Sequence, residues 1–218
     1  MIYLIGGTKG GAGKSTINMN LAAYLANQGR SVMIMDADPQ ASCAKWCERR
    51  EDTNLNPIPL PKIHYQQNSG NVYSAALDLD KLYDIVLIDA GGVDSRELRT
   101  AMVAADHLYV PLQASQLDLE TLVSLNDIVT VAMDQNPSLK VNAIVSRASS
   151  NPLVRKVSEA QELFKQFPLF NLSHNVIRDR EAYRDVLPQG LGVVEYKNSK
   201  AKAEIQLLAQ EMFADLDN

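Results

Sequence analysis

Short unbroken apolar runs alternate along the chain with longer stretches in which apolar residues recur every three or four positions. Residues 2–6 (IYLIG), 31–36 (SVMIMD), 85–89 (IVLID), 107–112 (HLYVPL) and 141–146 (VNAIVS) are of the first kind. Continuous apolarity over so few residues predicts strands buried on both faces. Between them, Ile17, Leu21, Ala22 and Leu25 share one helical face, with Gly29 as its stop signal. Helical periodicity also predicts helices over 40–51, 94–105, 117–134, 153–167 and 199–214, and a short strand is expected near 172–177. Three prolines make residues 53–62 irregular, and Pro111 is expected to mark a strand end. Strand–helix alternation from end to end predicts an α/β fold, a mostly parallel twisted sheet with helices on both faces. No repeat, linker or low-complexity tract interrupts it, so residues 1–218 are expected to form one domain.

Composition narrows this little. No apolar run approaches the roughly 18 residues of a membrane span, and Met1–Ile5 lacks the basic start and the length of a signal peptide. The expected setting is a reducing cytoplasm. Cys43 and Cys47, four apart on one helical segment, read as small buried apolar groups, since no further Cys or His lies close enough for a zinc site. Trp46 reads as packing, and His64, His107 and His174 are scattered without a role. The net charge of −5 argues against a wholly basic nucleic-acid binder. Residues 140–202, however, hold 11 Lys/Arg against 6 Asp/Glu, a local balance of +5.

The chemistry is concentrated in three places. TKGGAGKST, from Thr8, lies between a strand and a helix and ends in the Gly-Lys-Ser of a phosphate-binding loop, with Thr8 where the general pattern has its first glycine. Gly10, Gly11 and Gly13 let the backbone turn its N–H groups onto phosphate oxygens, Ala12 sits among them, and the helix adds its positive end. Lys14 would neutralise β- and γ-phosphate charge, the Ser15 hydroxyl would bind magnesium, and Thr16 would reach the α-phosphate. DADPQ (36–40) closes the second strand. Carboxylates there lie on the ligand edge of a parallel sheet. Asp38 is the candidate to orient an attacking water, with Asp36 behind it supporting magnesium or Asp38. Asp89 ends the VLI strand, where magnesium needs an acid opposite Ser15, and Gly91 and Gly92 follow.

KGGAGKST with its leading lysine, DADPQ and IVLIDAGG together resemble the deviant-Walker P-loop ATPases of the ParA/MinD group, especially the short ParA-like plasmid-partition proteins without an N-terminal DNA-reading domain. The resemblance spans nearly the whole chain, including VPLQASQLDLETL, and family members often lack the glycine replaced by Thr8. It implies ATP rather than GTP, Mg²⁺, weak basal hydrolysis, and a face-to-face homodimer enclosing two ATP molecules. It also implies that Lys9 reaches the partner's nucleotide, that Asp38 positions water, and that Asp89 holds magnesium through water. A ParB-like or small adaptor DNA-binding protein would stimulate hydrolysis.

Such dimers bind DNA without sequence preference, which implies association with the nucleoid when ATP is bound. The basic candidates here are Arg147, Arg155, Lys156, Arg178, Arg180, Arg184, Lys197, Lys200 and Lys202; Arg147 could equally pack against base or ribose. The leading expectation is therefore an ATP-driven switch that positions or segregates DNA. Alternatives are an ATPase aiding conjugative transfer or placing another large cargo, and a MinD-like membrane-positioned regulator. The last is disfavoured because the tail IQLLAQEMFADLDN carries acidic residues that anionic lipid repels, so no membrane partner is expected. A biotin-pathway ligase or cobyrinate-type amidation enzyme stays open. An iron–sulfur reductase is excluded, since no cysteine follows Cys47.

Overall fold

The computed structural model describes residues 1–53, 59–113, 119–150 and 156–216. Seven strands form one sheet in the order β3-β2-β4-β1-β5-β6-β7. They are β1 (Ile2–Ile5), β2 (Val32–Ala37), β3 (His64–Gln67), β4 (Ile85–Ala90), β5 (His107–Gln113), β6 (Lys140–Ser146) and β7 (Asn171–Leu172). Every pairing among the described residues is parallel, which is stricter than the expected mostly parallel sheet. All strand C-termini therefore open on one edge, where an α/β sheet binds its ligands.

The helices are α1 (Lys14–Asn27), α2 (Ser42–Thr53), α3 (Tyr73–Asp80), α4 (Arg96–Ala104), α5 (Leu119–Gln135), α6 (Lys156–Phe164), α7 (Glu181–Val186) and α8 (Ser199–Met212). The two-residue alternation of strand side chains divides the core. Tyr3, Ile5, Val32, Ile34, Ile85 and Leu87 pack with α1, α2, α7 and α8 on one face. Ile2, Leu4, Met33, Met35, Val86 and Ile88 pack with α3, α4, α5 and α6 on the other. The same alternation sends Asp89 toward the face carrying α1 and α2.

Helix α1 ends as its glycine predicts. Gly29 is left-handed (φ 80°), its N–H donates to Ala26 O, and Arg30 N–H reaches back to Leu25 O. Several expectations need correction. β3 and α3 lie in a stretch whose pattern was too weak to read: β3 is an edge strand of half-exposed polar residues, and α3 has only eight residues. α7, six residues long, is too short for a period to emerge. The strand expected at 172–177 is a two-residue β7 followed by an isolated Ala148–Arg178 bridge. Pro111 lies inside β5 rather than at its end. Tyr109 O accepts from Gly6 N–H, so this side of β5 faces β1, which has turned into the loop by the level of Pro111, and no ladder bond is lost. Residues 54–58 of the proline-rich stretch, 114–118 before α5, and 151–155, where helix 153–167 was expected to begin, lie outside the described residues.

Candidate functional site

The chain leaves β1 at Ile5 and re-enters regular structure at Lys14, the first residue of α1. Gly13 caps that helix in the left-handed region (φ 86°), which a side chain at this position would strain. Lys14 is buried, and its ammonium donates to Lys9 O at 2.8 Å. Burial pushes its pKa down, and Asp89 and Asp38 partly restore it.

Three side chains brought from the ends of β5 and β6 clamp the loop. Gln113 Nε2 and Arg147 Nη1 both donate to Gly11 O, at 2.7 and 2.8 Å, and the buried Ser146 hydroxyl donates to Ala12 O at 2.7 Å. Gln113 and Ser146 were missed by sequence reasoning, because each is an ordinary strand-end residue far from the motif. These clamps turn loop carbonyls back into the protein. Arg147 adopts a left-handed backbone (φ 47°) to reach its place.

Asp89 is fully buried at the end of β4. The Ser15 and Cys43 side chains hydrogen-bond to it, Cys43 Sγ lying 3.2 Å from Oδ2. Its Oδ1 has no partner. Burial pushes its pKa up to about 7, against the relief those hydrogen bonds give. A desolvated carboxylate with one bare oxygen, next to a serine hydroxyl, fits a hard divalent cation such as magnesium. Cys43 was expected only to pack; its contact with Asp89 is new.

Asp36 is also buried, and burial raises its pKa. Its Oδ2 accepts from Ala44 N–H (2.9 Å) and its Oδ1 from Asp38 N–H (3.2 Å). Both oxygens thus hold the β2–α2 turn, one of them through the Asp38 N–H. Asp38 is half-buried and lines the cavity, with Oδ1 accepting from Gln40 N–H at 2.8 Å.

The segment after β4 closes against both. A side chain at Gly91 would touch Asp38 Oδ2 at 3.6 Å, and a Cβ at Gly92 would sit 2.7 Å from Gly10 Cα. Gly92 is therefore a point where two backbones meet. Lys9 does not line the cavity of its own chain; its Nζ donates to Thr121 Oγ1 on α5 at 3.3 Å.

The cavity has a volume of about 770 Å³. Gly10 to Thr16, all lining it, form one part, and Ile177, Tyr183 and Leu187 bring apolar surface to another. Arg178, Arg180 and Arg184, read from sequence as nucleic-acid candidates, also line it. Their charges are partnered: Arg178 and Arg180 with Glu204 at 3.5 and 2.7 Å, and Arg184 with Asp179 at 2.8 Å. The parallel ladder explains their position, since the Ala148–Arg178 bridge carries this segment to the ligand edge. Lys197 and Lys200 are exposed and Lys202 half-buried around the start of α8. Arg155 lies outside the described residues, as does the side chain of Lys156. No helix among the described residues is long and apolar enough to cross a membrane.

The family described as VirC1 protein matches residues 2–218. The chain is 30% identical over 178 residues to the chromosome-partitioning ATPase Soj of Thermus thermophilus, covering 70% of this chain and 72% of that protein. It is 25% identical over 207 residues to a maintenance of carboxysome distribution protein A from Halothiobacillus neapolitanus, covering 94% and 92%. Among solved structures it is similar to the ATP complex of a Cyanothece McdA variant, with a TM-score of 0.74 at 17% identity over 98% and 96% of the two chains.

Proposed function

This chain belongs to the VirC1 family, within the ParA/MinD group of P-loop ATPases, and from that premise we propose that it is an ATP-dependent dimerisation switch that positions DNA or another cargo. The observation carrying this reading is the convergence of Lys14, Ser15 and Asp38 on one cavity, with Asp89 bonded behind Ser15. Triphosphate oxygens would meet the N–H groups of Gly10 to Thr16, the start of α1 and the Lys14 ammonium. Ser15 and Asp89 would hold magnesium, Ser15 directly and Asp89 through water, with Asp36 keeping Asp38 in place. Magnesium, when bound, supplies a positive charge that screens the β- and γ-phosphate oxygens. Asp38, on the rim, would orient the water that attacks the γ-phosphorus, giving ADP and phosphate.

Lys9 supports the dimer half of the proposal. Its side chain lies outside its own cavity, on Thr121, where it can pass to the nucleotide of a second copy. A contact to γ-phosphate made only across the pair ties dimer stability to the presence of that phosphate. Hydrolysis then releases the partner, and a stimulating adaptor would act on that step.

The relatives' names speak of chromosome partitioning and of carboxysome distribution, so the common element is positioning. For DNA as the cargo, the ion pairs of Arg178, Arg180 and Arg184 leave Lys197, Lys200 and Lys202 as the favoured phosphate contacts. Lys200 and Lys202 stand in the first turn of α8. Positive charge there opposes the helix dipole and so disfavours the helix slightly. A membrane-anchoring α8 is disfavoured, because Ile205, Leu208, Ala209 and Met212 are buried in the core. The test is co-sedimentation with DNA. Pelleting should require ATP and vanish in Lys14→Ala; pelleting that ignores nucleotide contradicts the proposal.

A further inference from the structure

Part of the cavity wall is held from a distance. Arg178 and Arg180 line it, yet their common partner, Glu204, belongs to α8 and does not. The Glu204 carboxylate accepts from Arg178 N–H (3.3 Å), Arg180 Nε (2.9 Å) and Nη2 (2.7 Å), and the Tyr183 hydroxyl (3.2 Å), and pairs with Arg178 Nη1 at 3.5 Å. Its side chain is 10% exposed, and its neighbours Ala201, Ile205 and Leu208 are buried in the core. A charge this buried is fixed by the donors around it.

Two free guanidiniums beside a triphosphate site would act as a second anion site. Oriented and half-neutralised by one shared carboxylate, they instead present flat, weakly hydrated surfaces next to Ile177, Tyr183 and Leu187. Such surfaces suit a heteroaromatic ring and its sugar.

We infer that Glu204 is a positioning residue for nucleotide recognition, aligning Arg178 and Arg180 against the nucleoside end of the ligand without touching the ligand itself. This rests on the reading of the cavity as a nucleotide site. Binding strength is thereby set from the C-terminal helix, while the phosphate loop and Asp38 retain the chemistry.

The test compares ADP with inorganic tripolyphosphate, which has the phosphates but no nucleoside, by calorimetry on the full chain. In Glu204→Gln the Kd for ADP and the KM for ATP should rise by about tenfold. kcat should stay within about twofold and tripolyphosphate should bind as tightly as to wild type, since neither depends on the nucleoside contacts. Arg178→Ala, a half-exposed site, should show the same selective loss, and the double variant should lose less than the sum of the two single losses, because Glu204 acts partly through Arg178 and partly through Arg180. Equal weakening of ADP and tripolyphosphate, unchanged ADP binding, or additive losses in the double variant would each overturn the inference. Wild-type protein that binds neither probe would instead overturn the nucleotide reading, and the inference with it.

Discussion

Substitution of Gly92 by alanine puts the contact between the β4 loop and the phosphate loop to a direct test. The added Cβ would lie 2.7 Å from Gly10 Cα, 2.8 Å from Gly10 N and 3.1 Å from the Lys9 carbonyl carbon, where ordinary contact begins near 3.4 Å. All three are backbone atoms, so no rotamer change relieves the clash, and the loops must part by about 0.7 Å at Gly10. That displacement is passed to Lys9, whose carbonyl holds the Lys14 ammonium at 2.8 Å. Misplacing catalytic groups by about 1 Å costs on the order of a hundredfold in rate, so a fall of roughly thirty- to a hundredfold in ATP turnover is expected. Overpacking at this rim costs about 1–3 kcal/mol, leaving the fold intact. The assay is phosphate release at saturating ATP beside a thermal melt of the same sample. A Gly92→Ala protein with wild-type turnover would show that this backbone contact does not set the position of Lys9 and Lys14, and one unfolded at assay temperature would contradict the expected cost.

Other consequences follow from the same geometry. The Asp89 carboxyl, held at about 7 against an ordinary 3.8, keeps its proton in the folded state across a range where the unfolded chain has lost it. Nucleotide-free protein should therefore lose stability as the pH rises from about 4 to about 7, and Asp89→Asn should flatten the profile in melts with EDTA. Magnesium binding should strengthen over the same rise, because the cation competes with that proton. Arg50 and Glu195 form a buried pair at 2.7 Å, with Arg50 also donating to Pro61 O and Gly190 O and lying over Trp46. Glu195→Ala strands the guanidinium and should cost about 3–5 kcal/mol in a urea titration. If Lys197, Lys200 and Lys202 each contact a phosphate, replacing all three by alanine should reduce the slope of log K against log salt by about 2.7 in DNA-binding titrations.

The features legible in the sequence were those written locally. The central strands announced themselves as unbroken apolar runs, and the phosphate loop as glycines and a lysine at fixed spacing between a strand and a helix. Asp36, Asp38 and Asp89 were legible because each lies at or just past the end of such a strand. β3 was not, since HYQQ on an edge carries no apolar signal, and the six residues of α7 complete fewer than two turns. Ser146 could not be linked to the loop, as 134 positions separate it from Ala12. The same holds for Cys43 against Asp89 and for Glu204 against Arg178 and Arg180. Charge misled in one respect: Arg178 and Arg180 counted as a basic surface in sequence, whereas folding pairs them with Glu204 of α8, 24 or more residues further along the chain.

At the centre of the proposal is Lys9, whose side chain lies on Thr121 and which is proposed to bridge two copies of the chain through a γ-phosphate. Light scattering on sized protein measures this directly, with Mg-ADP in one run and a slowly hydrolysed Mg-ATP analogue in the other. Wild type should have the mass of one chain with ADP and of two with the analogue, and Lys9→Ala that of one chain in both. A single mass under both nucleotides in wild type, or a Lys9→Ala protein that pairs as well as wild type, would contradict it.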